Sequence, residues 1–103
     1  MSHSFDARTR PFEVPASVAE LDGPSAAGVV ELPPHLVWSG DRRYDLDDPH
    51  DRRRVYEIVL REGSLADQRR YVDREELVRV FDELFLPAPI QAAWRALFAH
   101  QVV

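Results

Sequence analysis

Cysteine and lysine are both absent from the 103-residue chain, glycine appears only four times, and no apolar run is long. Each absence excludes something. Without cysteine there is no disulfide framework and no thiolate metal site, a habit that suits a reducing compartment. With Gly23, Gly28, Gly40 and Gly63 so scattered, no glycine-rich phosphate loop can form. No stretch approaches the roughly 18–20 apolar residues that a bilayer span requires. The start has neither the basic opening nor the apolar run of a signal peptide, so the expected location is cytoplasmic.

All 13 cationic side chains are therefore arginine, set against 18 acids for a formal net charge of −5. That balance argues against a nucleic-acid backbone as main partner, because such affinity comes from many cationic contacts. The arginine habit is read most simply as codon composition, with selected bidentate recognition as the alternative. At 45% hydrophobic and 30% charged, the chain has an ordinary globular composition.

What is present organises around one stretch, Asp48-Pro49-His50-Asp51 running to Glu62-Gly63. Asp48 suits an N-cap, Pro49 the first helical position, and Gly63 a left-handed stop. Val55, Ile58, Val59 and Glu62 line one stripe with Tyr56 and Leu60 beside it, so a helix over 49–62 presents a wide apolar face. Leu46 is placed as its hydrophobic staple.

Upstream, residues 1–14 read as a flexible leader with Phe5 and Phe12 isolated. Ser17 to Glu20 has capping-box spacing, but Gly23-Pro24 limits it to about one turn, and Ser25 to Gly28 reads as a loop. Residues 29–40 form an extended strap, with Leu36 and Trp38 expected on one side. A ribbon between Val29–Leu32 and His35–Trp38 is conceivable, yet no hairpin turn joins them, so an irregular strap is preferred.

Downstream, Ser64-x-x-Asp67 opens a short helix over 65–71. Asp73-x-x-Glu76 opens another over 74–84, with Leu77, Val80, Phe81 and Leu84 on one face. Pro89 starts a last helix over 89–100 that buries Ile90, Ala93, Trp94, Leu97 and Phe98. The expectation is an all-α domain over 15–103, with three to four helices, the strap and the leader.

Chemistry-bearing clusters are few. Asp45 to Asp51 is dense in acids, but Pro49 and His50 stand at its fifth and sixth positions, where a calcium loop needs a ligand and glycine. His50-Asp51 is similar to the pair of metal-dependent phosphohydrolases, yet His3, His35 and His100 share no ligand spacing with it. No serine lies in a nucleophile elbow. No catalytic residue, cofactor site or metal site is expected, and the chain is read as a non-enzyme.

A DNA-reading helix pair between Ser64 and Leu84 would carry Glu75, Glu76, Asp82 and Glu83 toward phosphate, which repels it. Arg52, Arg53 and Arg54 point in three directions from one helix and read as solvated, with Arg53 paired to Glu57. Trp38 and Tyr44 lie on loop-like segments, either as lids over the core or as interface anchors. Together with Arg42, Arg43 and Arg53 they make the candidate partner-binding set.

Leu32-Pro33-x-His35-Leu36-x-Trp38-Ser39-Gly40, then Tyr44 to Asp51 with Arg52, Arg54, Tyr56 and Val59 to Gly63, then Leu84-x-Leu86-Pro87 and Ala93-Trp94, resembles a family of small actinobacterial proteins. Their genes often sit beside AbiEii-type nucleotidyltransferase toxins. The resemblance spans about 14–100 and carries no catalytic residues. It implies an antitoxin that neutralises such a toxin by direct occlusion. It lacks the separate winged-helix domain that many antitoxins use on DNA. A small DNA-binding regulator and an interaction subunit of another cytosolic complex are the alternatives.

Overall fold

The structure is a computed structural model that describes residues 12–23, 28–38 and 40–101, with side chains to residue 100. It is mostly helical with one small sheet, so the all-α expectation needs correction. Helix α1 spans Pro49–Glu62, α2 Leu65–Tyr71, α3 Arg74–Val80 and α4 Ala88–Gln101. Strand β1 (Val29–Glu31) pairs antiparallel with β2 (Arg43–Asp45), Val30 standing opposite Tyr44.

The ribbon therefore joins segments other than the two considered from sequence. Leu32 N–H donates to Arg42 O at 2.9 Å and Leu46 N–H to Gly28 O at 2.7 Å, extending the pairing beyond both strand ends. The residues between make a turn rather than an extended run: Leu36 N–H returns to Pro33 O at 2.9 Å. Proline at the second position of such a turn supplies the required φ. The turn separates two residues expected on one side, because Leu36 enters the core while Trp38 is 86% exposed.

Helix α1 is the spine. Its Asp48 cap accepts from His50 N–H at 2.9 Å, and its buried side chains are Arg52, Val55, Tyr56, Ile58, Val59 and Leu60. Gly63 ends it in an extended conformation (φ −92°), not the left-handed one. Glycine is required there for space: a Cβ would stand 2.7 Å from Val59 O and 2.9 Å from Asp67 Cβ. Ser64 and Asp67 then form a complete capping box for α2.

Asp73 caps α3 by accepting from Glu76 N–H at 2.8 Å. The helix stops at Val80 and tightens into a 3-10 turn, Phe81–Glu83, instead of running to residue 84. Asp82 and Glu83 are unfavourable at a helix C-terminus, and Leu86 must be extended before Pro87. Helix α4 seats Trp94, with no exposure, against the rest of the core. Phe98 stacks edge-on to Phe81 at 4.9 Å between ring centroids.

Residues 12–14, expected to belong to the flexible leader, are anchored. Phe12 and Val14 pack on the core, Gln68 Nε2 donates to Glu13 O at 2.7 Å, and Leu65 N–H donates to Glu13 Oε1 at 2.7 Å. Residues 1–11, the rest of the expected leader, and 24–27, which include most of the expected 25–28 loop, lie outside the described residues. A 3-10 turn, Val18–Glu20, follows Ser17. Asp22 then bridges to Asp73 across the α2–α3 junction.

Candidate partner-binding surface

The strap that carries Trp38 is held on the side that precedes it, at Leu32, His35 and Leu36. Leu32 and Leu36 are sunk in the core, and His35 Nε2 lies 3.0 Å from Asp67 Oδ2 at the start of α2. A tryptophan left in water on an anchored backbone has already given up much of the freedom that binding would otherwise cost it. The lid reading of Trp38 is thus wrong. Half-buried Tyr44, which packs against the core from β2, does act as one.

Beside Trp38 runs an open groove of about 360 Å³ between the strap, Tyr44 and α1, with Arg54, Ile58 and Arg61 on the helix side. Arg54 and Arg61 stand seven residues apart, two turns or about 10 Å along one face. The Nε of Arg61 is buried without a hydrogen-bond partner, and Glu62 also reaches the groove. Arg54 Nη1 makes only a long approach, 3.9 Å, to Glu57 Oε1.

Of the five candidate residues, Trp38 and Tyr44 come together at this groove, and the three arginines do not line it. Arg42 Nη2 reaches Glu31 Oε2 at 3.4 Å, and Arg43 lies 3.6 Å from Asp41. The Arg43 backbone N–H, donating to the Asp41 carboxylate, holds that carboxyl below its ordinary range. Arg53 pairs with Glu83 at 3.1 Å, not with Glu57, in a smaller cleft between α1 and the α3 region. Arg52 is not solvated: it is buried, donating from Nε to Leu46 O and from Nη1 to Glu76 Oε2 at 3.0 Å.

Sequence reasoning missed Arg54, Ile58 and Arg61 as a set, although their i, i+4 and i+7 spacing placed them along one side of α1. It also missed Phe85, treated there as connector and here 83% exposed. Its backbone N–H donates to Glu57 Oε2 at 2.8 Å, which fixes it beside the same helix.

Among the described residues no group of three or more His, Asp or Glu is placed to hold a metal ion. Asp45, Asp48 and Asp51 are occupied with backbone N–H groups of Asp47, His50 and Asp45 respectively. No described helix is long and apolar enough to cross a membrane. Compared with family models, with curated proteins and with solved structures, the chain matches none.

Proposed function

We propose that this chain is a non-enzymatic protein-binding module of the cytoplasm, an antitoxin that covers a nucleotidyltransferase-type toxin with the surface around Trp38. The observation that carries the binding reading is Trp38 itself, 86% exposed on an anchored strap beside Tyr44, Arg54 and Arg61. Tryptophan, tyrosine and arginine are the residues that dominate binding energy at protein interfaces. The toxin as partner rests on the family resemblance. The net charge of −5 supports it, because an enzyme that acts on nucleic acid offers a basic surface to an acidic protein.

The test is co-expression with a nucleotidyltransferase of this type from the same genome. The two proteins co-purify and growth is restored, and Trp38→Ala weakens both effects by about tenfold or more, the usual scale for an interface hot spot. A folded chain that neither co-purifies nor restores growth overturns the proposal. A salt-sensitive shift of its own promoter DNA would favour the regulator reading instead.

A further inference from the structure

The ribbon of β1 and β2 has two edges, and the chain treats them differently. In an antiparallel pair, residues alternate between those whose backbone groups face the partner strand and those whose groups face outward. Leu32 N–H donates to Arg42 O and Leu46 N–H to Gly28 O, which places Gly28, Val30 and Leu32 in the inward set. Val29 and Glu31 on β1, and Arg43 and Asp45 on β2, therefore turn their backbone groups outward.

The outer edge of β2 is sealed. Arg43 N–H donates to Asp41 Oδ1 at 2.9 Å and Asp45 N–H to Asp51 Oδ2 at 3.0 Å, so both outward donors end on carboxylates of the same chain. Helix α1 also packs on this strand. The outer edge of β1 is open: among the described residues no group accepts from the N–H of Val29 or Glu31, and Val29 is 68% exposed. Pro33, at the next outward position, has no N–H, so the open stretch is bounded there. An unpaired strand edge is a template for another strand.

We propose that β1 pairs antiparallel with β1 of a second copy of this chain about a two-fold axis at Val30, joining the two ribbons into one four-stranded sheet in the order β2-β1-β1-β2. In that register Val29 of each copy exchanges both backbone hydrogen bonds with Glu31 of the other, which uses every open donor of the edge. Val30 meets Val30 on the axis, an apolar β-branched pair, and no like charges stand directly opposite across the seam. An axis at Glu31 would instead set two carboxylates against each other. Because each chain has one open edge and one sealed edge, assembly closes at two copies. Three residues a side are far fewer than the roughly 20–30 of a stable interface, and both copies carry a net charge of −5. The dimer is accordingly weak, with a Kd of about 10 µM to 1 mM, and salt tightens it by screening the repulsion. The seam uses residues 29–31 and not Trp38, so the inference does not depend on the toxin reading.

The experiment is sedimentation equilibrium of the full chain from about 10 µM to about 1 mM, the range of that affinity. The average mass rises toward twice that of the chain and no higher, and rises more steeply at about 0.15 M salt than at low salt. Glu31→Pro removes an outward N–H and leaves the bonds between β1 and β2 in place, so this variant stays monomeric. Glu31→Ala loses the same contact with Arg42 but keeps the N–H, and it dimerises as the native chain does. Circular dichroism checks that both variants fold. A second readout needs no variant: in the native chain the amide resonances of Val29 and Glu31 shift with concentration, and these decide the matter should Glu31→Pro not fold. A native chain that stays monomeric across the range, growth beyond two copies, equal association of Glu31→Pro and Glu31→Ala, or concentration-dependent shifts centred on Trp38 in place of β1 overturns the inference.

Discussion

The Nε2 of His35 lies 3.1 Å and 3.0 Å from the two carboxylate oxygens of Asp67, while Asp67 Oδ2 also accepts from Ser64 N–H at 2.9 Å. One carboxylate thus closes the first turn of α2 and pins the strap that presents Trp38. Burial works to raise the Asp67 carboxyl, but the Ser64 N–H and His35 outweigh it and hold the group below its ordinary 3.8.

A carboxyl with a folded pKa below its unfolded value stabilises fully above the unfolded value, and that stability is lost as pH falls through the folded one. Asp67→Asn is therefore expected to lower stability near neutrality by about 0.5–2 kcal/mol, the scale of a lost cap. Its acid limb, below pH about 4, should be flatter than that of the native chain. Urea unfolding across that range measures both.

Arg52 and Glu76 form the most deeply placed ion pair among the described residues, each side chain 11% exposed. Glu76 is held below its ordinary range, first by the hydrogen bond from Arg79, against burial, with the Arg52 charge adding to it. Arg52→Ala leaves the Leu46 carbonyl without its donor and Glu76 with Arg79 alone, and should cost about 1–3 kcal/mol. A double-mutant cycle with Glu76→Gln in chemical denaturation should return a coupling of about 1 kcal/mol or more; additive effects would contradict the pairing.

The two tryptophans should separate cleanly. Trp94→Ala empties the largest fully buried side chain and is expected to cost about 3–5 kcal/mol, whereas Trp38→Ala should leave the unfolding midpoint nearly unchanged. Acrylamide quenching reads the same contrast without a stability change. In Trp38→Phe the remaining emission should be shielded from the quencher, and blue-shifted relative to the native chain.

Gly23 and Gly40 make a second contrasting pair. A Cβ at Gly23 would stand 2.4 Å from Val72 N and 2.5 Å from Tyr71 C, both backbone atoms that cannot step aside. Gly40 has open space around it but a left-handed φ of +80°. Gly40→Ala should cost about 1–2 kcal/mol from backbone strain. Gly23→Ala should exceed it, because overpacking of about 1–3 kcal/mol is compounded by loss of the bridge to the α2–α3 junction. Thermal melts of the two variants rank them.

The helices were legible in the sequence because their signals are local: Asp48, Ser64 and Asp73 announce their caps within three residues, and Leu77, Val80, Phe81 and Leu84 repeat at helical spacing. The ribbon was not, since Val30 meets Tyr44 across a connection that no short turn motif marks, and pairing at that separation is decided by the core beneath it. Arg52 was misread for a related reason. Its partner Glu76 is 24 positions away, and nothing near Arg52 distinguishes it from Arg53 and Arg54. The candidate surface was half legible: Trp38 stood out by residue type, while Phe85 depended on where Glu57 would send its carboxylate.

Leu21 is buried and Asp22 and Gly23 hydrogen-bond to Arg69 O and Val72 O, so the earliest described segment docks on structure encoded some fifty residues later. During synthesis that segment leaves the ribosome with no surface to rest on. The helices it needs follow, and Trp94, which completes their apolar interior, comes later still. Such a domain closes only once α4 has emerged, with the apolar residues around Leu21 meanwhile open to chaperones and proteases. Its cellular abundance should accordingly depend on how quickly ribosomes carry synthesis through α4.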